Sequence, residues 1–146
     1  FPAEKLELEI TESILIENFD TAEVILKQLK KLKVRIALDD FGTGFSSLNY
    51  LTHFPLDTLK IDQGFLNGLL ENHATEVVLR NIINLGTELN MDIVAEGIET
   101  DMQRLKLIEL DCMTGQGYLF SPAIAEPLAS KMLIDGAPLT TESKRD

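Results

Sequence analysis

Acidic residues in this sequence recur at one kind of position, the end of a short apolar run. LELEI leads into Glu9-Ile10-Thr11-Glu12, IAL closes on Asp39-Asp40, TLKI carries Lys60 and runs into Asp62, and DIVAE brings Glu96 with Glu99 three residues on. A fifth apolar segment, GQGYLF, carries Gln116. Carboxylates drawn together from four segments repel one another unless a cation neutralises them. An all-oxygen set without His or Cys suits hard divalent ions, Mg²⁺ or Mn²⁺, rather than zinc. The adjacent pair points to two ions, with Asp39 bridging them and Asp40 serving one. Two cations about 3.5–4 Å apart activate a water and stabilise an in-line phosphoryl displacement. Lys60, the single base among the acids, would orient that water or offset developing negative charge.

Taken singly, none of these features indicates a site. Asp-Asp before a glycine is most often a turn pair, Lys-x-Asp a surface ion pair of small consequence, and Glu-Gly-x-Glu a loop. Their coincidence at five strand ends is what points to one centre.

The elements that must position these residues alternate. Period-two or continuous apolar runs predict strands at 6–10, 34–38, 58–61, 92–96 and 115–120. Between them lie helix-like stretches. Asp20 reads as an N-cap with Glu23 at the third helical position, ahead of a face made by Val24, Ile25, Leu29 and Leu32. A short helix is expected from Ser46 to about His53. A longer one, from Thr75 to about Asn90, carries a stripe of Val78, Ile82, Leu85 and Leu89. Thr100 with Gln103 has the pattern of a capping box, and a last helix runs from about Glu126 to Ile134. Strands separated by helices imply right-handed βαβ units, a parallel sheet and an α/β fold, with ligands at the C-terminal edge of the strands.

Bulk properties narrow the function further. With 146 residues the chain makes one domain or part of one, and a net charge of −11 disfavours a general DNA or RNA surface. No window approaches the 18 apolar residues of a membrane span, and a single cysteine, Cys112, suits a reducing cytoplasm and a packing role. GTGFSS lacks the Gly-Lys-Ser/Thr of a P-loop, and Asp40-Phe41-Gly42 copies a kinase triplet without its companions. His53 and His73 are not spaced for a metal, and Phe41, Phe45, Phe54 and Phe65 read as packing residues. A glycosidase, which needs only two acids, leaves most of the acidic set unexplained.

Together, LELEITES, IALDDFGTGFSSL, LDTLKID, VAEGIET and GQGYLF resemble the EAL-domain family of bacterial cyclic di-GMP phosphodiesterases, in the family's order and spacing, from about Leu6 to Leu133. The resemblance implies a TIM-like (β/α)8 barrel, present here as an incomplete barrel of about five parallel strands with their helices. It implies hydrolysis of cyclic di-GMP to linear pGpG with two Mg²⁺ or Mn²⁺ ions. By motif, Glu9 and Asp39 would hold the first metal, and Asp39 with Asp40 the second. Lys60 would contact the water or scissile phosphate, and Glu96 would act as base or position the water. Glu12 would fix the DDFGTGFSS loop, through which the family also forms homodimers. Asp62, Glu99 and Gln116 match substrate-side or supporting positions.

The Glu-Ala-Leu signature and the Asn-bearing strand that supply further first-metal ligands do not occur in the sequence. Residues 1–135 therefore read as the C-terminal part of the domain, and 136–146 as a flexible tail. A complete barrel of this type needs at least about 200 residues. Ser121-Pro122-Ala123 stands where relatives often carry a basic residue. The competing reading is a cyclic di-GMP receptor, or a protein-interaction or dimerisation module, that no longer hydrolyses.

Overall fold

Side chains that alternate along a strand cannot all be apolar unless both faces are covered, and the two central strands meet that condition. Ile36, Ala37 and Leu38 are fully buried in succession, and in TLKI Leu59 and Ile61 are fully buried on one face while Lys60, on the other, is buried too. The computed structural model describes residues 1–42 and 51–135. Its elements run β1 (Glu7–Thr11), α1 (Glu12–Glu17), α2 (Phe19–Lys31), β2 (Arg35–Phe41), β3 (Thr58–Ile61), α3 (His73–Glu88), β4 (Asp92–Ala95), α4 (Asp101–Glu109), β5 (Thr114–Gly115) and α5 (Glu126–Asp135). The five strands form one sheet in the order β1-β2-β3-β4-β5, every neighbouring pair parallel. Each strand pairs with the next in sequence, the arrangement of an arc of a (β/α)8-like barrel. The expected α/β class and incomplete barrel are thus observed.

Two apolar clusters join sheet to helices. One gathers Leu15, Leu26, Ile36, Leu38 and Leu59, and the other Ile61, Leu79, Ile83, Ala95 and Leu107 together with Cys112, which packs as expected. Several expectations about the elements need correction. In α2, Ala22 and Leu26 face the core, whereas Val24, Ile25 and Leu32 are exposed and Leu29 is half-buried. The small Ala22 marks the face that can approach the sheet closely, a cue that the bulkier Val24-Ile25 pair obscures. The N-cap position of α2 is Asn18, not Asp20, which lies in the first turn, and α1 precedes it directly. In α3 the buried residues are Leu79, Ile83 and Gly86; of the expected stripe Ile82, Leu85 and Leu89 pack half-buried against the core, and Val78 is exposed. At Gly86 a Cβ would stand 2.2 Å from Ile93 Cδ1, so this side chain of β4 packs directly onto the bare backbone of the helix. The fifth strand is Thr114–Gly115 rather than 115–120, and β2 runs on through Asp39 and Asp40 to Phe41. The expected helix at 46–53 falls largely outside the described residues, as does the tail. The Thr100/Gln103 capping box is present with both of its bonds.

The N-terminal ends of the strands are tied by a polar network. Glu7, Arg35, Thr58 and Asp92 each open a strand. Arg35 Nε donates to Glu7 (3.0 Å), its Nη2 donates to Thr58 Oγ1 (3.1 Å) and to Asp92, and Thr58 donates to Glu7 (2.7 Å). Both acids hold the Arg35 guanidinium above its ordinary pKa. Just before β3, Asp57 accepts from Lys30 Nζ (2.6 and 2.7 Å) and from the Ile36 amide (2.7 Å), pinning α2 and β2 together. At this face of a barrel, polar networks serve stability.

Replacing Asp57 with Ala removes both acceptors. Denaturant unfolding should show a loss of about 1–3 kcal/mol, the cost of stranding a part-buried donor. Among the described residues β1 and β5 each have one strand neighbour, and Leu6 and Leu8 beside that open edge are exposed. Prepared as these 146 residues alone, the chain should therefore self-associate. Sedimentation velocity is the check, and a compact monomer would contradict the expectation.

Candidate metal centre

Consecutive residues in a regular strand point to opposite faces, so Asp39 and Asp40 on an undistorted β2 could not serve one site. The strand is not regular there. Its register against β3 shifts between Leu38 and Phe41, and Asp40 has φ +55°. A bulge of this kind inserts one residue and cancels the alternation locally. Asp tolerates the left-handed region better than most side chains, at a cost of about 1 kcal/mol. As a result Asp39, Asp40 and Glu96 each present a carboxylate oxygen, all within 4.8 Å of one another.

Lys60 organises the same place from β3. Its side chain is 8% exposed, and Nζ lies 2.7 Å from Glu9 Oε1, 2.7 Å from Glu96 Oε1 and 3.0 Å from Asp39 Oδ1. An ammonium has three donors, and three carboxylates from separate segments surround this one. Burial by itself would lower the lysine's pKa, but the close contacts with Glu9, Glu96 and Asp39 outweigh it and hold the value above that of an ordinary lysine. The group is cationic at any physiological pH. Asp39 Oδ1 is shielded from solvent and finds no hydrogen bond of acceptable geometry, its contact with Lys60 being purely electrostatic. A buried carboxylate oxygen with unused acceptor capacity, in an all-oxygen set, fits a hard divalent cation.

The other expected residues fall at graded distances from this centre. Glu9 reaches Lys60 but is 54% exposed, because β1 is an edge of the described sheet, and it lies outside the three-oxygen cluster. Glu12, 4% exposed, opens α1 and accepts from the Gly42 amide at a long 3.4 Å, holding the start of the segment that follows β2. Gln116 donates through Nε2 to Glu96 Oε1 at 2.7 Å. Asp62 spends one oxygen on the Gly64 amide (2.8 Å), capping a 3-10 turn at Gln63–Phe65, and it lines the cleft. The Glu99 side chain is exposed, and its backbone amide donates to Gln103 Oε1 at 2.9 Å. The cleft, about 550 Å³, is bordered by Asp40, Asp62, Gln63, Glu96, Gln116 and Tyr118. Gln63 and Tyr118 were not expected there. Their only signal is that each directly follows or nearly follows a residue that was.

The loop bearing Glu96 is clasped by the segment after β5. The Ile98 amide donates to Gln116 O (3.0 Å) and the Leu119 amide to Ile98 O (2.9 Å), while a Cβ at Gly117 would stand 2.2 Å from Ile98 N and O. This contact accounts for the early end of β5, since GQGYLF is spent on holding a loop rather than on a ladder.

A barrel arc with an acidic, oxygen-only centre at the C-terminal ends of its strands defines an α/β-barrel protein with a candidate divalent-cation site. Over residues 1–123 the sequence matches the EAL domain family, and the chain belongs to that family. It is 44% identical over 126 residues to the bifunctional diguanylate cyclase/cyclic di-GMP phosphodiesterase MucR of Pseudomonas aeruginosa, covering 86% of this chain and 18% of that protein. It superposes on the PaMucR phosphodiesterase, solved as a c-di-GMP complex, with a TM-score of 0.83 and 41% identity, covering 88% of this chain and 52% of that one. Klebsiella pneumoniae BlrP1, solved as a manganese/cy-diGMP complex, superposes with a TM-score of 0.80 and 30% identity over 84% of this chain and 31% of that one. The chain spans 14% to 20% of the length of the curated relatives it matches. Among the described residues, no helix is long and apolar enough to cross a membrane.

Asp40→Gly and Asp40→Ala both remove the third oxygen, but only glycine accepts φ +55° without strain. The glycine variant should be the more stable by about 1 kcal/mol in equilibrium unfolding. Equal stabilities would mean that the bulge does not strain this residue.

Proposed function

We propose that this chain is the C-terminal part of a domain that hydrolyses cyclic di-GMP to linear pGpG with two divalent cations, Mg²⁺ or Mn²⁺. The observation that carries the reading is the convergence of Asp39, Asp40 and Glu96 on one another and on the buried Lys60. The likeness to proteins solved with c-di-GMP and with manganese supports it.

In this reading Glu9 and Asp39 would hold one cation, and Asp39 with Asp40 the other. Bound there, the cations would supply an activated water and charge compensation on the scissile phosphate. Glu96, steadied by Gln116, accepts the proton that the water gives up as it attacks phosphorus. The bond between phosphorus and one 3′ oxygen then breaks, the released 3′ oxygen takes up a proton from solvent, and Glu96 returns its own to solvent. Lys60 keeps a positive charge against the phosphate oxygens as negative charge accumulates. Glu12 braces the segment after β2. Asp62 and Glu99 stand on the substrate side of the cleft or behind it. Homodimerisation through DDFGTGFSS rests on residues 43–47, outside those described.

The test uses a complete domain carrying this chain. Mg²⁺ or Mn²⁺ should support conversion of cyclic di-GMP to pGpG, and EDTA should abolish it. Asp39→Asn and Glu96→Gln should each lower kcat by about a hundredfold or more. Absence of turnover at every concentration of either metal would reject the hydrolytic claim. Tight nucleotide binding without product, unchanged by Asp39→Asn, would instead select a receptor.

A further inference from the structure

Gln103 is 9% exposed and lies outside the acidic centre. One end of its amide completes the capping box of α4. Its Oε1 accepts from the amides of Thr100 (3.0 Å) and Glu99 (2.9 Å), while Thr100 Oγ1 accepts from the Gln103 amide (3.2 Å). A capping box needs only that acceptor, and a glutamate supplies it as well as a glutamine. Helix capping therefore gives no reason for the amide nitrogen. That nitrogen crosses to another loop, where Nε2 donates to the carbonyl of buried Leu66 at 3.3 Å, 37 residues away.

Leu66 ends the 3-10 turn that Asp62 caps, so the bond joins the segment after β3 to the segment after β4. The two segments also touch at Gly97, which has φ +71° and where a Cβ would stand 2.5 Å from Gln63 Cβ. One of them carries Asp62 and Gln63, the other Glu96, and all three residues border the cleft.

We propose that Gln103 is a positioning residue. Its side chain links the loop bearing Asp62 to the loop bearing Glu96 and so sets the width of the cleft between them. The inference rests on the hydrolytic reading for its kinetic consequence, but not for its structural one. Gln103 acts only through Glu96 and Asp62 and touches no reacting atom.

Two substitutions in a complete domain separate the tie from the cap. Gln103→Glu keeps the capping acceptor and places an oxygen against the Leu66 carbonyl where Nε2 had donated. It should melt within a few degrees of the parent, with kcat about tenfold lower and KM changed less than about threefold. Amide exchange should quicken together at residues 63–67 and 97–99, and not within 104–109. Protonation of the introduced carboxyl restores a donor to the Leu66 carbonyl, so the ratio of variant to parent kcat should recover as pH falls. Thr100→Val removes the hydroxyl half of the cap and leaves Nε2 in place. It should lower Tm by about 5 °C with kcat unchanged.

Parental kcat and exchange in Gln103→Glu would overturn the proposal, as would quickened exchange confined to α4. If the parent domain shows no turnover, the hydrolytic reading fails by itself, and exchange at the two loops still decides whether the tie exists.

Discussion

One buried ammonium among carboxylates is the constraint around which this structure is arranged. Lys60 sits on β3 between β2 and β4, and its three contacts come from β1, β2 and the loop after β4. A charge so little exposed is tolerable only if it is paired, and the carboxylates around it are tolerable only if it stays charged. A single lysine does not balance Glu9, Asp39, Asp40 and Glu96. The residual negative charge is what makes the centre a candidate for further cations. Removing any one partner would leave the others less well compensated, so the group behaves as a unit rather than as a set of separable pairs.

That unit depends on a departure from regularity. Parallel strands deliver their ends to one edge, but pleating would send one of two neighbouring aspartates away from it. The bulge in β2 and the left-handed Asp40 correct the direction at a small local cost. The loops beyond are then held by close backbone approach as well as by side chains such as Asp62 and Gln103. Gly97 and Gly117 allow neighbouring segments to approach more closely than a Cβ would permit. The two ends of the sheet divide the work, with the network around Arg35 and Asp57 securing strand starts and the acidic centre occupying strand ends.

Much of this was readable in the sequence. The alternation of apolar runs and helical stretches gave the first four strands close to their observed bounds, because burial leaves an apolar signature at Ile36–Leu38 and, on either side of Lys60, at Leu59 and Ile61. The approach of Asp39, Lys60 and Glu96 to one edge followed from parallel topology, which puts like ends together; that Asp40 joins them did not. Helix faces were less legible. Val24, Ile25 and Val78 are apolar yet exposed, since hydrophobicity does not state which side of a helix faces the sheet when two sides qualify. The final strand was placed too late because GQGYLF has strand composition, while its backbone bonds go to Ile98.

What the linear sequence determined by itself was the chemistry: oxygen ligands without nitrogen or sulfur, one lysine among them, and family motifs in a fixed order. Those properties belong to residue types and spacing and need no coordinates. Only the tertiary structure decided that Asp39 and Asp40 reach one site, that Glu96 takes a hydrogen bond from Gln116, and that Gln103 reaches Leu66 as well as capping its own helix. Each of these depends on a backbone angle or on a contact between segments tens of residues apart, and local sequence carries no record of either.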